Sequence, residues 1–261
     1  MSLHDGLALT GLRITDYGDA GLILFADQEY SDSSWNDLRS LAIEIEEADI
    51  PGCIDVVPAY DSVLVLFDYT TTDPAAARLA ITRISRTQIP HEQAKSLQQF
   101  RIPMVFGGAY GPDLRGVAEE LALRVEELIT QITDYTFTVR CLAGPLAQPL
   151  FDAPQSREVR RLVSPRSAVP PGSLGMAGHQ STVYTARSPG GWALVGRTPV
   201  SFFDVEATPP VPYQRGDYLE FFEIAASDWQ AFRDSRLSHE QFRRSDIAAA
   251  TALDQPARDL K

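Results

Sequence analysis

Apolar residues recur at two different spacings along this chain, and the place where the spacing changes divides it. Over the first hundred residues the two spacings alternate. Leu12–Ala26 (LRITDYGDAGLILFA) carries strand-like apolar steps broken at Gly18 and Gly21, which predicts a strand pair or one bulged strand. Trp35, Leu38, Leu41, Ile45 and Ala48 fall on one face of a helix over Trp35–Ile50, with Ser34 as its N-cap. Ile54–Val57 and Val63–Phe67 read as strands joined through Pro58–Ser62. A second helix runs from Pro74 to about Arg86, with Asp73 as cap and Pro74 at its first turn. Phe100–Phe106 reads as another strand. The resulting order, β-α-β-β-α-β, is the split-βαβ, ferredoxin-like plan.

Residues 90–97 read as a linker, and Asp113–Leu121 and Val125–Ile132 as a helix pair capped by the Gly-Pro-Asp run. From Phe137 to Ile224 short strands and Gly/Pro turns take over, the pattern of a closed or nearly closed β structure. Asp228–Phe242 is expected to be helical, and the Ala-rich end from Ile247 weakly ordered. The expected fold class is α+β. Its expected divisions are an α/β domain over residues 1–90, a β domain over 98–224, and a C-terminal helix and tail over 225–261.

Composition narrows the function classes. The 261 residues are 44% hydrophobic, enough for a real core, and no apolar run is long enough to span a bilayer. The net charge is −12, with −10 of it in residues 1–100. An acidic chain with no basic stripe argues against nucleic acid and anionic membrane as partners. The N-terminal MSLHDGLALTG is not a secretory signal, and Cys53 and Cys141 share no metal-binding or disulfide pattern, so the expected location is the cytoplasm. No Walker loop, G-x-S-x-G elbow or H-E-x-x-H motif is present, and His4, His91 and His239 are scattered, so no metal site and no cofactor of the chain's own are expected.

The candidate chemistry is concentrated in Ser164–Asp204 (SPRSAVPPGSLGMAGHQSTVYTARSPGGWALVGRTPVSFFD). Its glycines and prolines predict short strands and shaped loops, and its polar groups are few: Arg166, His179, Gln180, Tyr184, Trp192 and Arg197. A loop-rich segment with donors, an imidazole and aromatic faces is a usual build for a small-molecule pocket. His179 is either a turn histidine or a group that transfers a proton, and Gln180 can both donate and accept to an amide or carboxylate. Arg166 and Arg197 either clamp a carboxylate or tie loops to backbone carbonyls. Tyr184 and Trp192 either pack or form a stacking wall.

The same run carries a resemblance. Ser164-Pro165-Arg166, Val169–Ser173, Ala177–Ser181, Val183-Tyr184, Ser188–Trp192 and Gly196–Pro199 follow one another in the order found in the B component of 5-oxoprolinase, the kinase inhibitor KipI and allophanate hydrolase subunit 1. Gly18-Asp19-Ala20, Pro58–Ser62, Gly107–Leu114 and Gly216-Asp217 extend the match over roughly residues 10 to 224. The chain therefore resembles a divergent member of that family, the carboxyltransferase domain, subdomain C and D. It departs from the family where a His-Thr pair and a Pro-Gly-Phe turn are usual: Ile132-Thr133 and Ala143–Leu150 stand there instead.

The resemblance implies a cyclophilin-like barrel in the second half. It also implies an enzyme subunit that acts on a cyclic amide such as 5-oxoproline, with a KipA-like partner (the C-type component of such enzymes), any ATP entering only through partner proteins. A homo-oligomer is the other expected assembly. A pocket repurposed for ring formation or isomerisation in a biosynthetic pathway, and a kinase-inhibitor-like regulator, are the alternative functions. In all of them the expected site lies in the β domain. His179 and Gln180 would be its catalytic pair and Arg166, Tyr184, Trp192 and Arg197 its ligand contacts. Ile132 and Leu146 would form an apolar wall that favours a larger ligand than 5-oxoproline.

Overall fold

The computed structural model describes residues 11–86, 97–144, 146–233 and 235–238. The expected linker apart from Leu97, residues 234 and 239–242 of the expected C-terminal helix, the Ala-rich tail, and His4, His91 and His239 lie outside them. Of the described part of that expected helix only Trp229–Phe232 is α-helical; Arg233 is already extended and Arg236 bridges to Ser201 instead. The chain divides into two compact units, Met1–Ser96 and Leu97–Lys261.

The first unit has the order β1 (Leu12–Asp16), β2 (Gly21–Ala26), α1 (Asp32–Glu47), β3 (Cys53–Pro58), β4 (Ser62–Phe67) and α2 (Pro74–Ile84). Gly18 at φ +57 turns β1 into β2, so the first apolar segment is a hairpin and not one bulged strand. The α1 cap is Ser31, three residues before the expected Ser34. Ser34 is the other half of a reciprocal pair, in which each hydroxyl accepts from the other's backbone N–H at 3.1 and 2.9 Å. Asp73 caps α2 as expected, accepting from the Ala75 N–H at 3.0 Å.

The four strands form an antiparallel sheet in the order β1-β2-β4-β3. In it β2, β3 and β4 take the split-βαβ arrangement. The remaining edge place is filled by β1 from the N-terminal side; Phe100–Phe106, expected there, belongs to the second unit. Leu22, Leu24, Val63, Val65 and Phe67 point from the sheet into a core shared with Leu41 and Ile45 of α1 and Ile81 of α2. Burying each such side chain contributes about 1.5–3 kcal/mol before the cost of ordering it.

The second unit starts with β5 (Gln99–Phe106), then α3 (Leu114–Leu121) and α4 (Val125–Thr133). Nine strands follow: β6 (Phe137–Thr138), β7 (Cys141–Ala143), β8 (Gln148–Asp152), β9 (Arg166–Val169), β10 (Ser173–Ala177), β11 (Gln180–Val183), β12 (Ser188–Gly190), β13 (Ala193–Arg197) and β14 (Tyr218–Glu223). A short turn of 3-10 helix, Ala226–Asp228, and α5 (Trp229–Phe232) come last. Eight strands make one sheet in the order β6-β14-β5-β13-β10-β11-β8-β7, and β9 and β12 pair beside it.

The two edges of the sheet are consecutive in the chain. Across 137–143 the backbone passes from one edge to the other: the Val139 N–H donates to Asp217 and the next N–H, of Arg140, to Leu150, both at 2.8 Å. One segment thus satisfies both edges and curls the sheet into a barrel, which removes the exposed edges an open sheet would carry. The rings of Phe137, Phe151 and Phe221 meet inside it, with centroids 4.9 to 6.1 Å apart. The chain is thus α+β, a ferredoxin-like unit followed by a cyclophilin-like barrel.

Candidate functional site: the Arg197 cleft

Arg197 ends β13, where it pairs with Ser173 of β10 and Val105 of β5. Its Nε donates to the Pro171 carbonyl at 2.9 Å, which fixes the plane of the guanidinium. The Trp229 ring lies 5.3 Å from the guanidinium carbon, and Tyr110 packs against Trp229 with centroids 4.7 Å apart at 36°. Each ring has its own support. Tyr110 follows a tight turn in which its N–H donates to Gly107. Gly111, next in sequence, lies so close to β13 that a β-carbon there would collide with the Val195 carbonyl oxygen. Trp229 is held by the ends of its segment. Phe232 meets Phe222 edge-on at 6.3 Å, while Ser201 exchanges backbone hydrogen bonds with Ser235 and Leu237, the latter buried in the core.

Between these groups opens a cleft of about 460 Å³, walled further by Thr185, Phe202 and Arg233. Two of its lining residues are arginines, and none of the described lining residues is an Asp or Glu. Among the described residues no acceptor meets the terminal nitrogens of Arg197. Burial pushes its pKa down from the ordinary arginine value, against a smaller opposing effect from Tyr110. A guanidinium nonetheless stays charged in a protein, so its desolvation is a standing cost that an incoming anion would relieve. The planar fork suits a carboxylate, and Tyr110 and Trp229 offer apolar faces beside it. The described lining holds no histidine and no carboxylate; its charged groups are Arg197 and Arg233.

The residues expected to form one site are distributed over five places. Arg166 belongs to a structural knot: its Nη2 donates to Asp113 Oδ1 at 2.8 Å, while Asp113 Oδ2 accepts from the Leu194 N–H at 2.7 Å. Asp113 was expected to cap α3, but it makes no side-chain cap bond, because its carboxylate is spent on that knot. Arg166 Nη1 is buried with no acceptor among the described residues. Tyr184 and Trp192 pack beside the knot with Val169 and Leu194. Tyr184 is 4% exposed, burial pushes its phenol pKa up, and its ring fills the space a side chain at Gly190 would need.

His179 and Gln180 sit at the hairpin turn between β10 and β11. The His179 ring is 58% exposed and faces Glu158 at 3.4 Å. Arg197 pairs with the first residue of β10 and Gln180 with the last, so the two places lie about 13 Å apart along the strand. Ile132 is 1% exposed on α4, inside the main core, and Leu146 is half-buried in the β7–β8 turn; neither lines the cleft. Of the expected contacts, only Arg197 does.

Sequence reasoning missed Tyr110, Trp229 and Arg233. Tyr110 stood within the Gly107–Leu114 motif. Trp229 gave a signal too, a tryptophan among polar residues just after the last strand.

A family model described as the carboxyltransferase domain, subdomain C and D, matches residues 12–213. The chain belongs to this family. Among curated relatives it is 29% identical to the B component of 5-oxoprolinase from Bacillus subtilis over 232 residues, 85% of this chain and 97% of the relative. Among solved structures it resembles TTHA0988, at 25% identity and a TM-score of 0.67, with 79% of this chain and 40% of that one covered. It also shares its fold with the Kluyveromyces lactis urea amidolyase, at 17% identity and a TM-score of 0.74, with 96% of this chain and 18% of that one covered. This chain thus spans nearly all of the 5-oxoprolinase relative but well under half of either solved protein. The family match ends at Tyr213, whereas Trp229 and Arg233 come after it. Among the described residues no helix is long and apolar enough to cross a membrane, and no cluster of His, Cys, Asp or Glu could hold a metal ion.

Proposed function

We propose that the chain is the binding component of a 5-oxoprolinase-type enzyme. It holds a small ring carboxylate such as 5-oxoproline in the Arg197 cleft and works on its cyclic amide with a KipA-like partner. The observation that carries this reading is a half-buried arginine, unneutralised by any described lining acid, in a cleft walled by two aromatic rings. A match spanning 97% of a 5-oxoprolinase component supports the same assignment. The described lining supplies no proton-transfer group, so the chemistry that opens the amide would come from the partner. ATP, which this chain has no Walker loop to bind, would enter through partner proteins as well.

The test is reconstitution. The chain, co-expressed with the KipA-like protein of the same genome and the remaining components of the enzyme, should co-purify with it and support ATP-dependent loss of 5-oxoproline. Arg197→Met should abolish the activity and leave the complex intact. A chain that stays apart from that partner and adds nothing to 5-oxoproline turnover would contradict the reading.

The cleft's volume favours a second one. At about 460 Å³ it falls within the range of pockets that enclose drug-sized ligands, as a repurposed biosynthetic enzyme acting on a larger ring acid would need. Turnover of larger ring acids in the absence of the KipA-like partner would identify that case.

A further inference from the structure

The cleft's aromatic wall and its charge reader are physically coupled through a segment that lies outside the family match. Trp229 contacts both other elements: Arg197 sits over its face at 5.3 Å, and Tyr110 packs against it at 4.7 Å. Among the described residues the guanidinium makes one hydrogen bond, from Nε to the Pro171 carbonyl. The indole thus braces the guanidinium and, being half-buried, leaves part of its apolar surface lining the cleft beside it. Trp229 follows the last barrel strand, and both lie beyond residue 213, where the family match stops.

We propose that Trp229 is the specificity-determining residue of the cleft, selecting acids carried on a flat ring over open-chain acids of similar size. The proposal rests on the reading of the cleft as a carboxylate site and adds to it the class of acid and the residue that chooses it. The physical basis is twofold. A flat ring gains stacking contact with an aromatic face at little entropic cost, whereas an alkyl chain must freeze its torsions to cover the same area. A guanidinium over an indole is attracted to the ring face, so removing the indole also loosens the group that holds the carboxylate. The second effect weakens all acids alike and the first only ring acids, so the ratio of affinities isolates the selection itself.

The experiment is a binding titration of the purified full-length chain with pyrrole-2-carboxylate, a flat ring acid, and pentanoate, an open-chain acid with the same number of carbons. The wild type should prefer the ring acid by roughly tenfold, the ratio that corresponds to one good stacking contact. Trp229→Phe should keep most of that preference. Trp229→Leu, which retains apolar bulk, should bring the ratio close to one with the melting temperature little changed, and Trp229→Ala should do the same. An unchanged ratio in Trp229→Leu overturns the proposal, as does a wild type that binds both acids equally or neither. If Trp229→Ala fails to fold, the Phe and Leu variants still decide. The two readings fail separately. Ring-acid preference without 5-oxoproline turnover in the reconstituted complex sinks the proposed reaction alone. Turnover with a preference that ignores Trp229 sinks this inference alone.

Discussion

Arg166 and Arg197 look alike in the sequence. Both sit in the Gly/Pro-rich run next to a proline or a strand end, and both could clamp an acid. Their surroundings assign them opposite roles. Arg166 is neutralised by Asp113, which also holds the Leu194 backbone, so that charge joins α3 to β9 and β13. Arg197 has a backbone carbonyl and an indole face but no described carboxylate, so its charge remains available to a ligand. An arginine is therefore a binding group or a rivet according to whether the fold supplies its counter-ion. That supply came from residue 113, some fifty positions away from Arg166.

If the comparison is sound, damage to the structural side should appear in stability and damage to the cleft in binding. The largest stability effect is expected deep in the core. Ile132→Ala should destabilise the second unit by about 2–5 kcal/mol, the usual range for emptying such a site, with ring-acid affinity unchanged. Denaturant unfolding together with titration would check it. A loss of affinity without a loss of stability would return Ile132 to the pocket wall.

Asp113→Ala comes next. It strands the Arg166 charge and the Leu194 N–H, and should cost about 2–3 kcal/mol, moderated by the partial exposure of the pair. Thermal unfolding should register a fall of several degrees, and no change in melting temperature would mean the knot is ornamental.

A pH effect of similar or smaller size is expected at Cys141. Burial, the main cause, pushes its thiol from the ordinary 9.0 up to about 11. The unfolded chain thus gives up this proton before the folded one does. The associated stability is complete below about pH 9 and is lost as pH rises towards 11, by on the order of 2 kcal/mol. Stability measured from pH 8 to 11 should fall less steeply in Cys141→Ala than in the wild type.

The smallest effect is expected at His179. His179→Ala removes an exposed turn side chain whose described partner is the exposed Glu158, so stability should change by less than about 0.5 kcal/mol. Ligand affinity should not change at all, and a clear loss of either would restore the histidine to the site.

Periodicity was enough for much of the fold because the local signals were strong. Asp73-Pro74 opened α2, the heptad-like face from Trp35 to Ile45 marked α1, and Gly/Pro punctuation marked the barrel. What misled was pairing, which spacing does not encode. The strand at Phe100–Phe106 has the right position in the chain to complete the first sheet, yet it pairs with β13 and β14. Ser34 looked like a cap because it precedes the apolar stripe, whereas the helix begins a turn earlier on a reciprocal pair of serines.

The site was less legible than the fold. Chemically attractive residues that are adjacent in sequence, such as His179 and Gln180, were separated from Arg197 by the length of one strand. Two rings from distant segments, Tyr110 and Trp229, were brought to it instead. Proximity along the chain is a weak guide in a barrel, where neighbouring strand ends belong to remote parts of the sequence.

The proposed function rests most on the charge of Arg197 reading the ligand. Calorimetric titration of 5-oxoproline and of its uncharged carboxamide, against the wild type and Arg197→Met, tests this directly. The wild type should bind the acid and discriminate against the amide. Arg197→Met should lose about 10- to 100-fold in affinity for the acid, as removal of a charge-assisted hydrogen-bonding partner does, with its unfolding transition unmoved. Equal binding of acid and amide by the wild type, or undiminished binding of the acid by Arg197→Met, would contradict it.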